Sequence, residues 1–508
     1  MPKTTHLTKV QKFIPTSEPV LDGNEKKYVL DTLERNWISA GGKYSQLLEE
    51  KFAKWVGAKF AVTCSSGTSA LHLALLSLGI GRSDEVIIPD FTIICSASTT
   101  LLTGAKPVLV DVDKYWCMDP KKIEEKISKK TRAIMPIHMY GNPANMKDIL
   151  RIAKKYKLFV IEDACAAHGA TVNGRKVGTL GDVGCFSFYA SKNMTSGEGG
   201  IVVTNSEEVA NLARIFRSQG FEKPRFIHRY IGYNYRLTDI QAAIAYAQLE
   251  KIDKKVARRR EIAKNYIRLL KNVSEVSVHP EPPWGKSTFW MFGVLIKESF
   301  GRSRDEVIEL LAERGIGSDR FFTAMSLQPV FLNDKSPNYP DVSGNYSVSR
   351  DVGARGLYLP TGLNITLDQQ KKVVEILLSL RVKGAKIIKP TFVRKDKRGT
   401  FIEALNDIGW ENVSYGSMKK GAVMGNHYHK KTQLFFYITK GAAKIDIINV
   451  KSKVFESFIL KADQGVIFKP NHSHAIRFLE LSNFVMGKSL KYDPINPDTY
   501  PFTVPEVK

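Results

Sequence analysis

Three short stretches bring reactive side chains to places where chemistry is done. In "FSFYASKNMTSGEGG" (186–200) one lysine, Lys192, sits between an aromatic strand pattern and a glycine-rich turn. In "CSSGTSALHLAL" a Ser/Gly/Thr turn runs into a helix pattern. The free N–H groups of such a start point at an anion. In "FVIEDACAAHGA" Asp163 ends an apolar strand, and open parallel sheets bind ligands at the carboxyl ends of their strands. Each stretch alone has a plain structural reading: a surface lysine, an ordinary helix cap. Together, an anion cradle, a carboxylate and an isolated lysine suit pyridoxal phosphate. The lysine would form the Schiff base, the carboxylate would keep the pyridine nitrogen protonated, and a semi-apolar site would keep the lysine partly neutral.

A second set of residues lies near the other end. In "GAVMGNHYHKKTQ" (421–433), His427 and His429 are two apart, so in a strand they share a face. Gln433 keeps that parity if the strand continues. His474, in "KPNHSHAIRF", is a third histidine candidate. Two kinds of chemistry follow. Four such groups inside a barrel would bind a divalent metal. Without a metal, histidines titrating near neutrality would serve in acid/base chemistry.

The elements that must position these groups can be read from the surrounding pattern. "KFAVTC", "DEVIIP", "KPVLVDVD", "RAIMPIH", "KLFVIEDA", "VGCFSFY" and "GIVVTN" are short β-rich runs and predict buried strands. "SALHLALLSLGI", "DPKKIEEKISKK" and "ANMKDILRIAKKY" between them predict helices, and "DIQAAIAYAQLEKIDKKVARRREIAKNYIRLL" one long amphipathic stretch. Such alternation implies an α/β unit with a largely parallel sheet covered on both faces. The texture changes near 383. After the linker "KGAKIIKP", "AAKIDIINV", "KVFESFIL", "GVIFKP" and "HAIRFLE" predict strands of a small barrel or jelly roll. The expected domains are 1–270, 271–384 and 385–508.

With 508 residues, 43% hydrophobic and 25% charged, the chain has the composition of a globular protein of several domains. No apolar run is long enough to span a membrane, and the N-terminus lacks the apolar core of a secretory signal. Five scattered cysteines without CxxC spacing fit a reducing cytoplasm. The net charge of +24 is spread along the chain and mixed with acidic residues, so it argues for anionic small substrates rather than nucleic acid.

Residues 10–380 resemble the DegT/DnrJ/StrS-type nucleotide-sugar aminotransferases, of the aspartate-aminotransferase-like fold (fold type I). The resemblance rests on "SSGTSALHLAL", "PDFT", "IHMYGNPANM", "IEDACAAHGA", "FSFYASKNMTSGEGG", "GYNYRLTDIQAAIAYAQLE" and "GLYLP", in that order. It implies that Lys192 is the Schiff-base lysine and proton shuttle, and that Asp163 pairs with the pyridinium. It also implies that Gly67, Thr68 and Ser187 contact the phosphate, and that Asn234 or Arg236 reaches the cofactor of the other subunit of a homodimer. The implied substrates are glutamate and a nucleotide-linked keto-deoxysugar. Three positions depart from the family: Ala166 replaces a usual Gln, Ile93 a ring-stacking aromatic and Ser326 a His. His168 or water is the candidate to replace the lost Gln hydrogen bond.

"DKRGTFIEAL", "HYHKKTQ" and "YDPINPDTY" resemble the WxcM-like cupin sugar isomerases, and "GNHYHK" also resembles cupin epimerases. This implies a cupin that isomerises or epimerises the keto sugar before amination, with His427 or His429 taking a proton from the carbon beside the ketone and Tyr415 as a helper. The alternatives are a non-catalytic sugar-binding or oligomerising cupin and, more remotely, a cofactor-binding regulator. "TSGEGG" resembles the loop of members that aminate C4, whereas a 3,4-ketoisomerase would supply a C3 ketone.

Overall fold

The computed structural model describes residues 13–505 except 225, 334–335, 383, 389–391, 397–398, 404–409 and 491–496. Parts of "DKRGTFIEAL" and "YDPINPDTY" therefore lie outside the described residues. The chain divides into two compact units, 1–295 with 308–377, and 296–307 with 378–508.

In the first unit each of the seven apolar runs forms a strand of one sheet. They are β1 Phe60–Cys64, β2 Glu85–Pro89, β3 Lys106–Val110, β4 Thr131–Ile134, β5 Phe159–Asp163, β6 Val183–Ser187 and β7 Gly200–Thr204. The order across the sheet is β1-β7-β6-β5-β4-β2-β3. Only β7 runs antiparallel to its neighbours. Strand periodicity divides the buried residues between the two faces. Ile87, Ile134 and Phe186 join one core, and Val86, Ile88, Ile161 and Cys185 the other. A smaller antiparallel sheet contains β8 Val276–Val278, β9 Phe292–Ile296 and β10 Gly356–Leu359, in that order.

Helix α1, Gly67–Ser77, follows β1. Ser66 and Ser69 form a reciprocal capping box that starts it. Two helical expectations change. "DPKKIEEKISKK" forms two single 3₁₀ turns, Pro120–Lys122 and Glu124–Lys126, because Ile127 turns extended. The long amphipathic stretch is two helices, α2 Asp239–Leu249 and α3 Ile252–Leu270, broken at Glu250 and Lys251.

The second unit is all-β in its described regular elements beyond residue 384. One sheet contains β11 Ala385–Ile388, β12 Asn412–Met418, β14 Leu434–Lys440, β17 Gln464–Phe468 and β19 Ser482–Lys488, ordered β11-β17-β14-β19-β12. The other contains β13 Val423–Tyr428, β15 Ala442–Asn449, β16 Phe455–Lys461, β18 His472–Phe478 and β20 Tyr500–Pro501, ordered β16-β15-β18-β13-β20. Leu434, Phe436 and Phe484 of the first sheet share one core with Ile445, Ile476 and Phe478 of the second, so the sheets pack face to face. Among the described residues no helix is long and apolar enough to cross a membrane.

Candidate active site

The carboxyl ends of β1, β2, β5 and β6 open on one cavity of about 510 Å³. Gly67, Thr68, Asp163, Ser187 and Lys192 all line it. Five residues from three stretches of chain thus meet where a parallel sheet presents its strand ends.

The cradle is built by the start of α1. The Ser69 and Ala70 N–H groups are taken by Ser66 Oγ (3.0 Å) and Ser66 O (3.0 Å). Those of Gly67 and Thr68, the first two of the helix, have no acceptor within it. Ser187 Oγ accepts from the Tyr189 N–H at 3.3 Å, which leaves its own O–H to donate. The floor is tight. A Cβ on Gly67 would lie 2.7 Å from Ser187 Cβ and 2.9 Å from Cys165 Sγ, so only glycine lets the backbone approach. Thr92 Oγ1, on the same wall, is buried without a hydrogen-bond partner. These donors, with a carboxylate and a lysine, fit the phosphate, ring and aldehyde of pyridoxal phosphate.

Asp163 is buried, and its Oδ1 accepts from the Cys165 N–H at 3.0 Å. Beneath it lies a network that sequence reasoning missed. Glu162, fully buried, accepts from the N–H groups of Gly178 (2.8 Å), Leu180 (2.6 Å) and Gly181 (2.7 Å). His138 accepts at Nδ1 from the Ala144 N–H (3.1 Å), so its Nε2–H donates to Glu162 at 3.0 Å. The His138 N–H donates to the Asp163 carbonyl at 3.0 Å. The only sequence sign of this was a second carboxylate in "VIED", at a position facing into the protein.

Burial lowers the Lys192 pKa, with Cys165, Asp163 and Cys95 opposing it. Burial also pushes the Cys95 thiol up to about 12 and Cys165 well above its ordinary value, so neither adds a negative charge at neutrality. The Lys192 Nζ lies 3.5 Å from the centroid of the Trp290 ring. Trp290 is distant from Lys192 in sequence, and nothing in its spacing announced the contact.

Ala166 and Ile93 both line the cavity, where the departures from the family pattern were expected to act. Ser326 and His168 do not. Ser326 is fully buried, donates to Asp90 from N (2.6 Å) and Oγ (3.1 Å), and accepts from Arg350 Nε at 3.1 Å. His168 sits among Phe52, Phe186 and Phe188 with both ring nitrogens unpartnered, and burial lowers its pKa to about 3. It does not stand in for the missing Gln. Asn234 is exposed, outside the cavity of its own chain, and accepts from Arg236 Nε at 3.0 Å.

In the second unit three histidines converge on the inner face. Ring centroids are 4.9 Å apart for His427 and His474, 5.1 Å for His427 and His429, and 6.4 Å for His429 and His474. A β-bulge sets this. Met424 pairs with Ile476 and Gly425 with Ala475, but His427, not Asn426, pairs with His474. The extra residue, Asn426 at φ 59°, turns His427 inward. His429 donates from Nδ1 to the Asp498 carbonyl, which leaves Nε2 as the lone-pair nitrogen, buried and unpartnered. Burial lowers the pKa of all three histidines, His474 to about 3. Burial alone would raise Asp498, but N–H bonds from Thr432, Lys431 and Lys430 outweigh it and bring it to about 2.

Two expectations fail here. The four-ligand metal set is not assembled. β13 ends at Tyr428, and Gln433 precedes β14 in the opposite sheet, with the parity of Phe435 and Tyr437, which pack outside with Trp410. Among the described residues no group of three or more His, Cys, Asp or Glu is placed to hold a metal ion. Tyr415 is 88% exposed. It alternates with Ser414, Gly416 and Met418, and Met418 packs on the core, so Tyr415 points outward.

Residues 19–378 match the model of the DegT/DnrJ/EryC1/StrS aminotransferase family. The chain belongs to this family of PLP-dependent sugar aminotransferases. Residues 394–500 match the polysaccharide biosynthesis C-terminal domain. GDP-perosamine synthase of Escherichia coli O157:H7 is 42% identical over 361 residues, 70% of this chain and 96% of the relative. The enzyme of that name from Caulobacter vibrioides is 39% identical over 367 residues, 72% and 97%. Helicobacter pylori PseC, an aminotransferase of pseudoaminic acid biosynthesis, superimposes with a TM-score of 0.68 at 28% identity, over 73% of this chain and 99% of PseC.

Proposed function

We propose that this aminotransferase moves an amino group from glutamate to the keto carbon of a nucleotide-linked deoxysugar, and that its second unit isomerises or epimerises the keto sugar. The observation that supports the first half is the meeting of Lys192, Asp163, Gly67, Thr68 and Ser187 on one cavity. Gly67, Thr68 and Ser187 would hold the cofactor phosphate, and Asp163 would pair with the ring nitrogen. Bound pyridoxal phosphate supplies the electron sink. Lys192, whose pKa burial lowers, would take the proton from the donor carbon and return one to the sugar carbon. Three GDP-perosamine synthases among the relatives make a GDP-linked keto sugar the first substrate to try. The "TSGEGG" loop favours C4 as the aminated carbon.

Two facing five-stranded sheets and an inward histidine cluster support a cupin jelly roll for the second unit. His429, with its Nδ1 proton tied to Asp498, has Nε2 free to accept a proton from the carbon beside the ketone. His427 lies 5.1 Å away, ring to ring, as the second acid/base.

Among the described residues, the cavity of one chain is lined by Asp163, Glu198 and Asp319 but by one cation, Lys192. Glutamate and a nucleotide diphosphate both need cations. We assign these to a neighbouring subunit of a cytoplasmic homodimer, with Arg236 as the reaching cation and Asn234, which accepts from it, beside it.

The test incubates the full chain with glutamate and a panel of GDP-, dTDP- and UDP-linked 3- and 4-keto-deoxysugars, with products read by mass spectrometry. An amino sugar with 2-oxoglutarate is expected. No amine from any member overturns the first half. The Lys192→Ala chain, incubated in deuterated water with the same sugars, isolates the second unit. Deuterium entering beside the ketone is expected, and no exchange with any sugar removes catalysis from that unit.

A further inference from the structure

The amine of Lys192 has an unusual partner for a buried cation. Its Nζ stands 3.5 Å from the centroid of the Trp290 ring, nearer than any other such contact among the described residues. The ring is fixed from behind. Trp290 Nε1–H donates to the carbonyl of Ser191, the residue before the lysine, at 2.7 Å. The indole is 7% exposed and packs on Tyr140, with centroids 6.3 Å apart. Lysine and indole are thus tied at the backbone of one and the ring of the other.

We propose that Trp290 is a positioning residue that holds the Lys192 amine in the cavity, as an ammonium on its π face, whenever the cofactor does not hold it. This rests on Lys192 being the cofactor lysine. The argument is electrostatic. An amine that must lose its proton to attack is poorly served by a salt bridge, since a carboxylate in contact holds the proton hard. A π face attracts the ammonium more weakly and fixes its direction. It therefore keeps the amine aimed while leaving it easy to deprotonate. The other titratable groups around the site are arranged accordingly. Asp163 is turned to the Cys165 N–H. Cys95 and Cys165 stay thiols, and His168 behind them stays neutral. Glu198, Asp319, Tyr189 and Tyr358 share the cavity wall.

The experiment uses the full chain freed of cofactor, so it does not depend on turnover. Lys192 is reductively methylated with formaldehyde and cyanoborohydride across a pH series, and its peptide is quantified by mass spectrometry. In Trp290→Leu, which keeps the wall apolar, the midpoint of reactivity falls by about one pH unit, a tenfold change in the charged fraction. In Trp290→Phe, whose ring face attracts a cation less, it falls by less. An unchanged midpoint in both variants overturns the proposal. So does a rise, which would make Trp290 only a shield against water. If the leucine variant does not fold, the phenylalanine variant decides alone: a smaller fall supports, none overturns. The underlying assignment fails separately. If Lys192→Ala still bonds the cofactor covalently, Lys192 is not the cofactor lysine, whatever Trp290 does to its titration.

Discussion

Lys192 and Asp163 face the same cavity with different tasks, so their replacements part company. On the proposed function, Lys192→Ala removes the amine that would bond the cofactor and carry the proton. The lysine-linked absorbance of the bound cofactor disappears and transamination is lost; unchanged turnover would refute the role. Asp163→Asn keeps the shape and the bond from the Cys165 N–H but removes the charge that, on the same reading, would keep the ring nitrogen protonated. Cofactor still binds, while kcat/KM falls about 10²-fold, near 2.7 kcal/mol of transition-state stabilisation. Equal loss of binding and turnover in Asp163→Asn would make the residue structural instead. Both residues were legible in the sequence because each ends a pattern: an apolar strand, then a charged residue. Trp290 and the His138–Glu162 pair were not, because their partners come from remote segments that periodicity does not connect, and Thr92 has no hydrogen-bond partner to mark it.

The seven strands of the first sheet and the cap of α1 follow from local patterns, and those patterns agree with the fold. The second unit shows where local reading stops. Alternation assigns a face only while a strand continues, and two events end it there: the bulge at Asn426 and the change of sheet before Gln433. The bulge is testable at Gly425. Its φ is 102°, and a Cβ would stand 2.3 Å from the His474 carbonyl oxygen. Gly425→Ala is expected to destabilise this unit by about 1–3 kcal/mol and to abolish deuterium exchange into the keto sugar, because His427 and His474 lose their pairing. Full exchange in that variant would show that the bulge does not position the histidines. The same elements set an acid limit. His474, held near 3 in the fold, has an ordinary value near 6.5. Below 6.5 the unfolded chain binds a proton that the folded chain refuses. Stability is therefore complete above about 6.5 and falls as pH drops toward 3, by up to ~1.4 kcal/mol per pH unit for this one group. Hydrogen exchange of β18 amides at pH 5 and pH 7 measures it; His474→Gln should flatten the difference.

At the scale of the molecule the puzzle is charge. The chain carries 75 Lys and Arg against 51 Asp and Glu, yet among the described residues its own cavity offers one lysine beside three carboxylates. The positive charge must reach the anionic substrates from elsewhere. The stretch before Asn234 and Arg236 also leaves Phe226, Ile227 and Ile231 71%, 62% and 86% exposed, a run that a second chain would cover. A site completed by its neighbour makes a sharp demand on mixtures. A Lys192→Ala chain has an intact Arg236, and an Arg236→Ala chain has an intact Lys192; each is inactive alone. In a mixed dimer one site has both defects and the other has neither. Random exchange puts about half of the dimers in that form, so activity should return to about a quarter of the native level. Sedimentation velocity shows whether dimers form, and the glutamate half-reaction of the remixed variants shows whether sites are shared. Ile231→Asp should block both the dimer and the recovery, whereas on a free surface it would change stability by no more than ~0.5 kcal/mol. Dimers without recovery would place Arg236 outside the neighbour's site, and the missing cations would have to come from another part of the partner.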